Sequence, residues 1–190
     1  MHGKNPISSG FRKGRYHLAV SMVEDINPKS ILDIGCGEGH FLSYISGGFP
    51  GAKLYGCDRR KDWVDKAKKA CPDAEIHTGD FMELELKPAD LVVALEMMEH
   101  NDDPAKMIKK AAMLAGKNGW VLISIPRPEL FRWRITWWLW THTVGRWGLG
   151  EHTNLTESQL IDFAKQAGLR MEKPSRFFFD CISTMPFRVS

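Results

Sequence analysis

The sequence predicts an α/β fold, a mostly parallel sheet with helices on both faces. Three observations predict it. Short apolar runs alternate with helical stripes along the chain. A glycine-rich turn joins the first clear run to a helix. An acid closes the next run about 20 residues past that turn. At 190 residues, one domain spanning the whole chain can bury a core large enough to fold unaided.

Composition narrows the class. Net charge is +3, with 26 basic and 23 acidic residues, an excess too small to point to a large nucleic-acid footprint. No run of about 18 apolar residues offers a membrane span. Met1-His2-Gly3-Lys4-Asn5-Pro6 lacks the apolar core of a secretory signal. Cys36, Cys57, Cys71 and Cys181 are far apart, without a C-x-x-C pair, and three lie in or beside apolar segments. Buried thiols and a cytoplasmic location are the expectation.

The elements follow in order. Residues 1–14 are polar and glycine-containing and read as a loose arm. Leu18, Met22, Val23 and Ile26 repeat at helical spacing until Asn27-Pro28 stops the helix. Ile31-Leu32-Asp33-Ile34 suits a strand buried on both faces, and Gly35-Cys36-Gly37-Glu38-Gly39 turns it into a helix carrying Phe41, Leu42 and Ile45. Such a turn lets a ligand approach the backbone and meets it with the N–H groups of a helix start. A dinucleotide fingerprint, G-x-G-x-x-G/A, requires Gly or Ala at position 40. His40 stands there, and the third glycine comes one residue early, so a nicotinamide-dependent oxidoreductase is disfavoured. Asp33-x-Gly35-x-Gly37-x-Gly39 resembles motif I of the class I S-adenosylmethionine-dependent methyltransferases. That resemblance implies a Rossmann-like, seven-stranded, mostly parallel sheet in the order 3-2-1-4-5-7-6, with S-adenosylmethionine as cofactor. It also implies that the leading helix lies across the cofactor, and that Asp33, Gly35, Cys36, Gly37 and Gly39 belong to its site.

The second strand, Ala52–Asp58, ends in an acid placed to accept both ribose hydroxyls, with Arg59 beside it. The next helix, about Lys61–Ala70, buries Trp63, Val64 and Ala67 and turns four lysines outward. Ala74-Glu75-Ile76-His77 leads into Thr78-Gly79-Asp80-Phe81. In the family this Asp-Phe turn flanks the adenine, Asp80 taking the exocyclic amine and Phe81 covering the base. Asp90–Leu95 is the fourth strand. In the family's strand order the fourth strand flanks the switch point with the first, which puts Glu96 beside the methionine end of the cofactor. Asp103-Pro104 starts a helix with an N-cap acid and Pro at N1. Its apolar stripe is Met107, Ile108, Ala111 and Leu114, and Gly116 closes it. Trp120–Ile125 is the fifth strand, stopped by Pro126. The resemblance covers about residues 15–126.

Residues 127–150 depart from that scaffold. Five of the seven tryptophans lie between Trp133 and Trp147, and Trp133, Trp137 and Trp140 share one helical face. A lid or substrate insertion that receives a small apolar or aromatic acceptor is the leading expectation. Peripheral membrane contact and a homodimer contact stay open beside it. Thr156-Glu157-Ser158-Gln159 is a capping box that opens a helix with Leu160, Ile161, Phe163, Ala164 and Ala167 as its stripe. Residues 169–188 suit a closing antiparallel hairpin.

Methyl transfer needs a base only when the acceptor carries a proton. His100 and His152 are the candidate catalytic residues. No metal is expected. The alternative is a divalent-metal set of Glu96, Glu99, His100 and His152, which resembles that of the small-RNA 3′-terminal 2′-O-methyltransferases and of some quinone-biosynthesis O-methyltransferases. The functional expectation is a methyltransferase acting on a small acceptor. A metal-assisted enzyme of RNA or of a quinone or lipid precursor, and a cofactor-binding module without catalysis, are its alternatives.

Overall fold

A computed structural model describes residues 6–133, 135 and 155–190, with side chains from residue 14 onward except Arg15. The elements in chain order are α1 (Pro6–Ile26), β1 (Ser30–Ile34), α2 (His40–Ser46), β2 (Lys53–Asp58), α3 (Lys61–Ala70), β3 (Glu75–Thr78), β4 (Leu91–Leu95), a 3-10 turn (Met98–His100), α4 (Pro104–Ala115) and β5 (Trp120–Pro126). After the tryptophan-rich stretch come α5 (Glu157–Gln166), β6 (Leu169–Met171), β7 (Ser175–Phe177) and β8 (Ile182–Val189).

The strands form one sheet in the order β3-β2-β1-β4-β5-β8-β6, with β7 also pairing β8. The first five strands are parallel, and β8 runs antiparallel between β5 and the two short strands. This is a Rossmann-like α/β sheet. It has eight strands where seven were expected, because the sixth strand of the plan is broken. β6 pairs with Phe187–Val189 of β8 and β7 with Ile182–Thr184. Between β6 and β7 lie Glu172, Lys173 and Pro174. Proline has no N–H for a ladder and interrupts a strand at such a point.

Apolar side chains fill both faces. On one, Leu32, Val92, Ala94, Val121, Ile123 and Phe187 pack with Met107, Ile108 and Ala111 of α4 and Leu160 and Ala164 of α5. On the other, Ile31, Leu91, Val93 and Leu122 pack with Ala19 and Val23 of α1, Phe41, Leu42 and Ile45 of α2, and Val64 and Ala67 of α3. The alternation of residues along each strand therefore serves two half-cores, so the strands read as nearly unbroken apolar runs.

Two expectations are corrected. Residues 6–14 are not a loose arm but the first turns of α1, opened by Pro6, whose fixed φ suits the first helical position. Gly14 there serves packing, since a Cβ would stand 2.7 Å from Phe177 Cζ. Trp63 is half-buried rather than core; its ring lies against Gly37, and the Arg60 guanidinium stacks 4.1 Å above it. As expected, β5 ends at Pro126, which is its last residue and lies opposite Ile182. At the other ends the local chemistry is as expected. Asp103 Oδ1 accepts from Lys106 N–H at 3.1 Å, and Thr156 and Gln159 complete a reciprocal capping box on α5.

Candidate functional site

The glycine turn after β1 is tied to the end of β2. Gly35 N–H and Cys36 N–H both donate to Cys57 O, at 2.8 and 3.0 Å. Gly37 N–H donates to Asp58 Oδ2 at 2.9 Å, and Arg60 N–H donates to Asp58 Oδ1 at 2.9 Å. Each carboxylate oxygen keeps a further lone pair. Asp58 is thus oriented by backbone on two sides and retains capacity for two more donors.

A cavity of about 210 Å³ opens beside it, at the C-terminal ends of β1, β2, β3 and β4. This is the switch point where β1 has β2 on one side and β4 on the other. Gly35, Asp58, Arg59, Asp80, Phe81 and His100, all singled out from the sequence, line it together. Its volume falls short of the roughly 300–1,000 Å³ of a complete small-molecule pocket. Met97 forms part of its wall. Its side chain covers Gly35, where a Cβ would stand 2.6 Å from Met97 Cγ, so only a glycine with its φ of +72° fits beneath it.

The wall after β3 is built on Asp80. Its Oδ1 accepts from Met82 N–H at 2.8 Å, and its Oδ2 pairs with the Arg59 guanidinium at 3.0 Å. Phe81 is buried beside it and gives the cavity an apolar face. An acceptor, an apolar wall and an oriented carboxylate thus line one cavity.

Other predicted residues are not among those lining this cavity. Asp33 is buried in β1, and burial, then the charge of Asp58, pushes its carboxyl up to about 8. Cys36 is buried, and burial pushes its thiol well above the usual range. Gly39 lies against α3 instead of the cavity: with φ +77°, a Cβ there would stand 2.9 Å from Ala67 Cα. Glu96 follows β4 in a left-handed conformation, φ +53°, and is not among the cavity's lining residues. Its neighbour Met97 takes that place. Trp133 is half-buried, beyond the end of β5. Trp137, Trp140 and His152 lie outside the described residues. Among the described residues, no three His, Cys, Asp or Glu side chains gather where a metal ion could be held, so Glu96, Glu99 and His100 do not make such a cluster by themselves. All four cysteines are buried, and no disulfide joins them. No helix among the described residues is long and apolar enough to cross a membrane.

The sequence family described as "Methyltransferase domain" matches residues 12–173. The chain belongs to that family. It is an S-adenosylmethionine-dependent methyltransferase. This methyltransferase is 26% identical to the ubiquinone biosynthesis O-methyltransferase of Hydrogenovibrio crunogenus over 190 residues, 95% of this chain and 75% of the relative. Over 123 residues it is 29% identical to the trans-aconitate 2-methyltransferase of Mycobacterium tuberculosis, 62% of this chain and 45% of the relative. Its fold is similar to that of magnesium protoporphyrin IX methyltransferase from Synechocystis with bound SAH. The TM-score is 0.77 at 17% identity, over 100% of this chain and 90% of the other.

Sequence reasoning missed Met97, Asn101 and Met107, which also line the cavity. Met107 had a signal, since it lies on the apolar stripe of α4 and a stripe can face a cavity as well as a core. Met97 and Asn101 had none, because the turn that aims them has no period.

Proposed function

We propose that the enzyme methylates a small apolar or aromatic acceptor, a ring hydroxyl of quinone-precursor type being the best fit. The cofactor half of this proposal is carried by Asp58, which bonds the glycine loop at Gly37 N–H while facing the cavity. Asp58 is assigned the two ribose hydroxyls, Asp80 the exocyclic amine, and Phe81 the face of the purine. Arg59 holds Asp80 in place. Gly35, Cys36, Gly37 and Gly39 shape the loop over which the amino-acid end lies, with Asp33 beneath it and Glu96 at the acceptor side. Bound there, S-adenosylmethionine supplies a methyl group already activated by its sulfonium. The chain's own work is to orient the reactants and exclude water. Where the acceptor carries a proton, His100 or His152 is assigned to take it.

The acceptor half is supported by the surface past β5. Phe131 is 73% exposed, Ile135 44% and Phe179 72%, and the Arg132–Asp180 pair, 3.3 Å apart, joins the two segments that carry them. With Trp133, these make an apolar face suited to a flat lipophilic molecule. The relatives named for ubiquinone biosynthesis support an acceptor of that kind. The same exposed rings support a second reading, in which the enzyme rests on a bilayer surface to collect its acceptor.

Label transfer from methyl-tritiated S-adenosylmethionine tests the acceptor class, offering a catechol, a tricarboxylic acid and a short RNA separately. Labelling of the catechol is expected. Labelling of the acid or the RNA alone contradicts the proposal. Co-sedimentation with anionic vesicles, lost on Phe131→Ser with Phe179→Ser, would support the bilayer reading; recovery in the supernatant would dismiss it.

A further inference from the structure

Lys110 projects from α4 to the loop that follows β3. Its ammonium donates to Phe81 O at 2.7 Å, Leu84 O at 2.8 Å and Met82 O at 3.1 Å. The same nitrogen lies 5.2 Å from the centroid of the Phe81 ring. An ammonium has three N–H donors, and here all three meet one loop. Lysine heads ordinarily reach for water, so this arrangement needs a reason.

The loop supplies one. Asp80 O accepts from Glu83 N–H at 3.0 Å and from Leu84 N–H at 2.9 Å, and Asp80 Oδ1 accepts from Met82 N–H. Residues 80–84 therefore form a single helical turn, capped at its amino end by Asp80. A lone turn is unfavourable on its own, because it fixes many dihedrals for few hydrogen bonds. Its last carbonyls also have no following turn to bond. The Lys110 ammonium bonds these carbonyls and places a positive charge at the end of the turn that favours one. Arg59 fixes Asp80 from the other side. Phe81, by contrast, is held through its carbonyl and its ring by Lys110.

We propose that Lys110 is a positioning residue of the purine subsite, holding the 80–84 turn so that Asp80 and Phe81 face the cavity. It acts through those two residues, since Lys110 is not among the residues lining the cavity. The role rests on the assignment of that cavity to the cofactor's nucleoside. Its consequence is selective: loosening the turn weakens recognition of the purine and leaves the ribose contact at Asp58 in place.

Two probes separate this from a purely structural role. S-adenosylhomocysteine carries the purine amine that Asp80 is assigned to accept from. S-inosylhomocysteine carries a carbonyl there instead. Calorimetric titration of the full chain with each gives a preference ratio. Lys110→Met is expected to weaken S-adenosylhomocysteine about tenfold and to shrink the ratio by a similar factor. Lys110→Arg, which keeps a cation with several donors, is expected to retain most of both. A lowered melting temperature in Lys110→Met with the ratio unchanged overturns the proposal. Where Lys110→Met does not stay folded, the ratio in Lys110→Gln decides in the same way. Failure of the unaltered chain to bind S-adenosylhomocysteine overturns the cofactor assignment itself. Binding with an unchanged ratio overturns the Lys110 role alone.

Discussion

Asp33 and Asp58 are two acids on adjacent strands with opposite surroundings. Asp58 sits at the cavity with backbone N–H groups on both oxygens, whereas Asp33 is sealed in β1. Burial, followed by the charge of Asp58, raises the Asp33 carboxyl from 3.8 to about 8, so at neutral pH the folded chain holds a proton there that the unfolded chain has released. Stability from this group is full below about pH 4 and declines as pH rises toward 8. Above that both states are ionised and the dependence ends. Chemical denaturation from pH 5 to 8 should therefore show a decline, on the order of a few kcal/mol, that Asp33→Asn removes. An equal decline in the variant would contradict the assignment. Much at this scale was legible in the sequence. Asp58 closes its strand about 20 residues past the glycine motif, the family resemblance singled out Asp80 and Phe81, and all three line the cavity. Lys110 was not legible, because a lysine beside an apolar stripe looks the same whether its head meets water or carbonyls.

Among the elements, the turn between β1 and α2 is the most constrained. Gly39 combines a left-handed backbone with an approach to Ala67 too close for a side chain. Gly39→Ala should destabilise by about 2–4 kcal/mol, from the backbone and overlap terms together. Urea unfolding measures it, and a change under about 0.5 kcal/mol, typical of an ordinary surface site, would contradict the packing described. Thr156→Ala removes the cap of α5, whose side chain accepts from Gln159 N–H at 3.3 Å, and should lower stability by about 1 kcal/mol. A melting temperature unchanged from the parent chain would show the cap to be idle. Helix starts such as these were plain in the sequence, because caps are local. The first turns of α1 were not. Gly10 and Gly14 suggest a flexible arm, and only Phe177, more than 160 residues away, explains why one of them is small. The broken sixth strand was hidden for a related reason, since a three-residue strand carries too little pattern to be seen.

For the molecule as a whole, sheet order decides where chemistry can occur. Placing β1 between β2 and β4 brings the ends of four strands around one hollow, so residues from Gly35 to Met107 meet although they are spread over the chain. That order followed from the family resemblance. The place of Met97 in its wall did not, because it depends on one turn after β4. The central claim is that this hollow holds the nucleoside of S-adenosylmethionine, its sugar gripped by Asp58. Calorimetric titration of the chain and of Asp58→Ala with S-adenosylhomocysteine tests it most directly. Saturable one-to-one binding by the chain, weakened about a hundredfold or more in Asp58→Ala, is the predicted result. Binding of equal strength by both proteins would contradict it.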